Sequence, residues 1–314
     1  VDLGGTKILA GVFNAQLKCL AREKMTTKAE RGPDAVIERI ERCVRDAIDE
    51  ADLTLKQIRG LGIGSPGSVD SESGRVIFAG NLGWKDVPLR KELEKRLDVP
   101  VHIGNDCKNC VLGVHQFEFG GKPRDMLGIF LGTGIGGGLI LNGELYTGHG
   151  GLAGEVGHMV IDLNGPKCTC GNKGCFEALA SRTAIFRRIK EAVKAGEKTV
   201  LTDMLGPDLE GLRSGDLRKA LKRGDKLVDG IVEEAAQYTG IAIANLVNIF
   251  NPELVVIGGG VMEQLADEMM PIIIKMAKDG AFSGTTSDLE IVASKLGDDA
   301  GITGGAVLVG LRGK

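Results

Sequence analysis

Val1-Asp2-Leu3-Gly4-Gly5-Thr6-Lys7-Ile8-Leu9-Ala10-Gly11-Val12-Phe13 opens the chain, and no other run says more about its architecture. The apolar residues on either side of Gly4-Gly5 predict strand, tight glycine turn and strand, and residues 17–26 read as a third antiparallel strand. The phrase then returns. Residues 126–131 run into Leu131-Gly132-Thr133-Gly134, and residues 138–141 resume as a strand. Self-similarity between two parts of one chain predicts duplicated domains facing each other.

The elements between and after the two phrases read as alternating helix and strand. Residues 33–51 carry Val36, Ile40, Val44 and Ile48 on one helical stripe, with Pro33 in the first turn. Residues 59–64 predict a short buried strand, 88–97 a helix, and 99–103 a strand running into Asn105-Asp106. Helical spacing resumes at 106–120, 181–195, 212–223 and 226–249. A strand at 253–257 leads through Gly258, Gly259 and Gly260 to another helix. A last strand at 289–293 precedes a helix from about Ala300. That alternation predicts the α/β class. The expected division is a small α/β domain over 1–106, completed by a C-terminal helix at about 298–314, and a larger α/β domain over 107–297.

Composition narrows the function classes. Of 314 residues, 48 are glycine, about twice the usual ~7% share, without the Gly-X-Y period of collagen. Backbone must therefore approach something closely in many turns. A net charge of -3 argues against a broad nucleic-acid surface, and no apolar run is long enough to span a membrane. No leader sequence is visible. Seven cysteines, three of them crowded between Cys168 and Cys175, suit a reducing compartment and a metal better than a disulfide framework. The expected location is the cytoplasm.

Gly62-x-Gly64-x-x-Gly67 and Gly132-x-Gly134-x-x-Gly137 both fit a dinucleotide fingerprint, but neither stands between a strand and a helix. The strand–turn–strand context offers backbone N–H groups at a bend instead. Two such bends facing each other would clasp a polyphosphate. Thr6, Lys7 and Thr133 would add donors, and Asp2 could hold a metal-bound water. One Gly-Gly turn reads more simply as a tight β-turn. Two matching turns, with Gly258, Gly259 and Gly260 after a third strand, favour phosphate.

Cys168, Cys170 and Cys175 with His158 make a closed set of three thiolates and one imidazole, which points to a structural Zn2+ shaping a loop. Asn105-Asp106 follows a buried strand, at the carboxyl end where α/β sheets bind ligands. Asp106 reads equally well as a helix N-cap. Glu155, His158 and Glu177 lie on or beside the zinc loop, and their convergence with Asn105-Asp106 would suit a ligand covered in hydroxyls. Taken singly, Glu155 and Glu177 read as solvated charges.

These segments resemble the ROK family of sugar kinases and sugar-responsive repressors. Asp2-Leu3-Gly4-Gly5-Thr6-Lys7 is similar to its first phosphate motif. Leu131-Gly132-Thr133-Gly134 through Gly154-Glu155-Val156-Gly157-His158 is similar to its signature, and Cys168-x-Cys170-Gly171-x-x-Gly174-Cys175 to its zinc motif. The resemblance implies the duplicated actin/hexokinase-type ATPase fold, with substrate in a cleft between two domains. It implies Asp106 as general base toward a sugar hydroxyl. Gly67, Asn105, Asp106, Glu155, His158 and Glu177 would hold the sugar. Asp2, Gly4, Gly5, Thr6, Lys7, Thr133, Gly134, Gly258, Gly259 and Gly260 would hold ATP. His158 would serve zinc with one ring nitrogen and sugar with the other.

The expected reaction is ATP- and Mg2+-dependent phosphorylation of a hexose, glucose first, by a homodimer or tetramer. Alternatives are an N-acetylmannosamine, N-acetylglucosamine or fructose kinase, or a sugar-sensing regulator without useful catalysis. Repressor members carry a helix-turn-helix segment before the first phosphate motif, where this sequence begins, so the kinase is the expectation. Cys107 and Lys108 depart from the small residues usual after Asn-Asp. A lysine beside Asp106 would lower its pKa and weaken it as a base.

Overall fold

Strand β1 (Asp2–Leu3) passes through the glycine turn into β2 (Lys7–Phe13), and β3 (Cys19–Thr26) pairs antiparallel with β2. The structure, a computed structural model, describes residues 1–312. Helix α1 (Pro33–Glu50) follows, burying Val36, Ile37, Ile40, Val44 and Ile48 on the stripe that its spacing predicts. Strand β4 (Leu61–Ser65) then enters parallel to β1. Three short strands, β5 (Ser68–Asp70), β6 (Arg75–Ala79) and β7 (Trp84–Val87), form a small antiparallel sheet. Helix α2 (Leu89–Leu97) leads to β8 (Val101–Asn105), which lies parallel to β4 and runs directly into α3 (Asp106–Phe117).

The second phrase builds β9 (Met126–Leu131), β10 (Ile135–Leu141) and β11 (Glu144–Tyr146). After the cysteine loop come α4 (Phe176–Ala180), α5 (Arg182–Lys194), α6 (Val200–Leu205), α7 (Ser214–Lys222) and α8 (Lys226–Phe250). Strand β12 (Leu254–Gly258), α9 (Met262–Gly280), β13 (Glu290–Ala293) and α10 (Ala300–Arg312) complete the described chain.

The two large sheets share one plan. The first has the order β3-β2-β1-β4-β8 and the second β11-β10-β9-β12-β13. In each, an antiparallel hairpin stands beside two further strands that run parallel to the first strand of the phrase or to one another. The turns at Gly4-Gly5 and Gly132-Thr133-Gly134 therefore occupy equivalent places.

The chain divides into two compact units, Val1–Arg124 with Gly138–Gly154 and Asp298–Lys314, and Asp125–Gly137 with Glu155–Gly297. Helix α3 and residues 138–154 thus group with the first unit, whereas the sequence-based division placed them in 107–297. Within the first unit α10 packs against α3 and β4, and glycines permit the approach. A Cβ on Gly62 would lie 1.8 Å from the Gly305 carbonyl oxygen, and one on Gly304 would lie 1.7 Å from that of Asn109. The glycines of the false dinucleotide fingerprint therefore serve packing, since Gly64 likewise abuts Asp106 and Asn109 of α3.

Candidate active site

In the first unit, the Gly4 N–H donates to the Lys7 carbonyl at 2.8 Å, closing the β1–β2 turn. Lys7 Nζ meets Asp298 at 2.5 Å, and Gly301 of α10 leaves room for the Asp2 carboxyl, which a Cβ there would meet at 2.7 Å. Burial pushes the Asp2 carboxyl above the usual carboxylate range, and Lys7 opposes the shift. Thr6 is exposed at the bend, with Gly4 and Gly5 half-buried beside it. Asp298 and Gly301 were not legible as partners of this turn, because they follow it by nearly the whole chain.

At the carboxyl end of β8, the Asn105 side chain accepts from the Lys108 N–H at 3.1 Å and caps α3. Asn105 fills the N-cap position considered for Asp106 in the sequence. Asp106 is the first helical residue, and its Oδ1 accepts from the Cys107 N–H at 2.8 Å. Asn105 Nδ2 donates to the Gly67 carbonyl at 3.2 Å, so the Ser65-Pro66-Gly67 turn and the Asn-Asp pair form one substructure. Gly67 has φ +82°, and a Cβ there would lie 2.1 Å from the Phe78 carbonyl oxygen. Lys108 is buried, and its ammonium donates to the Gly151 carbonyl. A cavity of about 400 Å³ opens here, lined by Asn105, Lys108, Asp70, His149 and Gly151 among others.

In the second unit, the Ile135 N–H donates to Glu177 Oε2 at 2.9 Å. A Cβ on Gly134 would stand 2.2 Å from that oxygen. The Glu177 carboxylate thus packs on the Gly132-Thr133-Gly134 turn, and glycine at 134 is what admits it. Glu155 is exposed and precedes a single 3-10 turn, Val156–His158, that carries the half-buried imidazole of His158. Gly259 has φ +92° and abuts the Leu131 carbonyl at the end of β9, tying the turn at Gly258, Gly259 and Gly260 to the second phosphate-like turn.

The cysteine loop brings one donor atom each from His158, Cys168, Cys170 and Cys175 within 4.8 Å of one another. Cys170 and Cys175 sulfurs stand 3.7 Å apart, and Cys168 Sγ lies 3.7 Å from His158 Nδ1. A zinc tetrahedron with bonds of about 2.3 Å to sulfur has edges of about 3.8 Å, so the donor set fits Zn2+. Nδ1 is the nitrogen turned to the cysteines, which leaves Nε2 outside the set. Burial pushes the Cys175 thiol up to about 12, whereas the Asn172 backbone N–H lowers that of exposed Cys170. Glu177 Oε1 lies 4.0 Å from Cys168 Sγ, so this carboxylate spans the distance from the cysteine loop to the glycine turn.

One side chain here was not legible in the sequence. The Arg182 guanidinium donates to Thr133 Oγ1, and Thr183 Oγ1 donates to the Thr133 carbonyl at 2.7 Å.

Residues 1–311 match the profile of the ROK family. The chain belongs to the ROK family. Among its ROK relatives, the glucokinase of Thermotoga maritima is 37% identical, over 98% of this chain and 96% of that protein. The xylose repressor of Caldicellulosiruptor bescii is 32% identical, over 98% of this chain and 77% of the repressor. A ROK glucokinase from Streptomyces griseus, solved with glucose and AMPPNP, superimposes with a TM-score of 0.85 at 30% identity, covering 98% of this chain and 97% of that one. The fold is the actin-like ATPase fold of the ROK kinases, and its repeated strand order is the duplication that the two glycine phrases predict.

Proposed function

We propose that this protein is an ATP-dependent hexose kinase that converts glucose to glucose 6-phosphate. The observation that carries the reading is the pair of equivalent glycine turns in two sheets of identical strand order, each with a hydroxyl residue at its bend. The similarity to glucokinases from Thermotoga maritima and Streptomyces griseus supports it.

In this reading Asp106 accepts the proton of the sugar 6-hydroxyl. The sugar oxygen then attacks the γ-phosphorus, the bond to the bridging oxygen of ATP breaks, and ADP leaves. Phosphoryl transfer depends chiefly on positioning and electrostatic stabilisation. Asn105, Gly67, Glu155, Glu177 and Nε2 of His158 orient the sugar by hydrogen bonds to its hydroxyls. Gly4, Gly5, Thr6, Lys7, Thr133 and Gly134 hold the phosphates, and Gly258, Gly259 and Gly260 lie by the adenosine. The Asp2 carboxylate would hold Mg2+ through water, and the ion would supply charge neutralisation at the phosphates. His158, Cys168, Cys170 and Cys175 would hold Zn2+, which would fix the loop that presents His158 and Glu177. The Lys108 ammonium donates to the Gly151 carbonyl.

The similarity to a xylose repressor favours a second reading, a sugar-sensing regulator that binds without turnover. ADP release measured with glucose, N-acetylmannosamine, N-acetylglucosamine and fructose separates the readings. Glucose is expected to give the highest kcat/KM. Faster turnover of an N-acetyl sugar or fructose would reassign the substrate, and sugar binding without ADP from any of them would favour the regulator. A homodimer or tetramer in the cytoplasm is the assembly that we expect for such an enzyme.

A further inference from the structure

Arg182 opens α5, a helix of 13 residues whose N-cap, Ser181, accepts from the Ala184 N–H at 3.2 Å. Its own backbone N–H donates to the Gly132 carbonyl at 3.0 Å, which docks the helix start on the second glycine turn. From there the half-buried guanidinium reaches two turns at once. Nη2 donates to Thr133 Oγ1, and Nη1 would lie 3.8 Å from a Cβ on Gly260. Among the described residues, no carboxylate pairs with this guanidinium. Its contact with Thr133 uses a single donor of a fork that carries several.

We propose that Arg182 is a specificity-determining cation for the phosphoryl donor: its free N–H groups take a phosphate oxygen of the bound nucleotide, between the Thr133 turn and the Gly260 turn. The inference rests on the kinase reading, which assigns both turns to ATP. A guanidinium fork matches the geometry of phosphate oxygens and stays charged at every working pH. The positive end of the α5 dipole adds to the same field. A cation without a carboxylate partner, set against exposed backbone turns, is arranged to meet an anion from solution. Were Arg182 only a brace between turns, the neutral hydrogen bond to Thr133 would be its whole contribution.

The test compares wild type, Arg182→Ala and Arg182→Lys, each checked for native circular dichroism. Calorimetric affinities are measured for AMPPNP, tripolyphosphate and adenosine, and KM for ATP and for glucose. Loss of a charge-assisted hydrogen bond is expected to weaken AMPPNP and tripolyphosphate by about 10- to 100-fold in Arg182→Ala. Adenosine affinity and the KM for glucose should stay within about twofold, and Arg182→Lys should recover part of the loss. Unchanged AMPPNP affinity in Arg182→Ala overturns the proposal, as does a loss that adenosine shares equally. If wild type binds glucose but neither AMPPNP nor tripolyphosphate, the kinase reading itself fails.

Discussion

Asp106 owes its place to its neighbour. Asn105 caps α3 through the Lys108 N–H, so the Asp106 carboxylate is not consumed as the cap and stands one residue into the helix at the end of β8. Asp106→Asn should keep the shape and lose the proton acceptor. Turnover is expected to fall by about 10³-fold or more, with glucose affinity by calorimetry little changed. Near-native turnover would remove Asp106 from the base role. Asp2 allows a second prediction at this scale. Its pKa is raised by burial, so the folded carboxyl binds its proton more tightly than the unfolded one. Stability of metal-free protein should therefore decline as pH rises from about 4 through the folded pKa. Asp2→Asn should flatten that decline in a melting series and melt no lower than wild type at pH 7, while losing activity. Asp2, Asp106 and the cysteines could be picked out as candidates because each sits in a patterned phrase. Arg182 was not, since a lone arginine at a helix start has no spacing to mark it.

Among the elements, the cysteine loop matters most. It delivers His158 Nδ1 to the sulfurs, and its continuation into α4 places Glu177 between Cys168 and the Gly134 turn. A metal held by this set would therefore be coupled to the carboxylate through a few ångströms of protein. Cys170→Ser, or chelation, is expected to weaken glucose binding by at least about tenfold, in the range that groups around a metal site command. Unchanged glucose affinity in protein shown to be zinc-free would break this coupling. Residues 68–87 show the opposite case for legibility. Their strands have 3–5 residues, and Val69, Val76, Trp84 and Val87 point inward while Phe78 stays exposed. So few residues per strand give no alternation long enough to read, and only pairing across the small sheet defines them. The long helices, with several turns of regular spacing, were legible nearly to their ends.

For the whole molecule, repetition in the sequence became repetition in topology, and that much of the fold could be read from two glycine phrases. The grouping of α3 and residues 138–154 with the first unit could not, because α3 is held there by packing against α10, far away in the chain. Deleting residues 298–314 should therefore damage the first unit selectively. Proteolysis with mass spectrometry is expected to digest residues 1–124 while the second unit persists. Equal protection of both units would show that α10 is dispensable.

The close fit of α10 through Gly62, Gly304 and Gly113 also has a consequence for synthesis. A ribosome adds about 5–20 residues per second, so the segment that completes the first unit emerges roughly 10 to 35 s after residue 124. Through that interval the glycine-lined groove over β4 is open. A unit begun before the second is thus closed only after the second has been made, and for that interval it depends on chaperone protection.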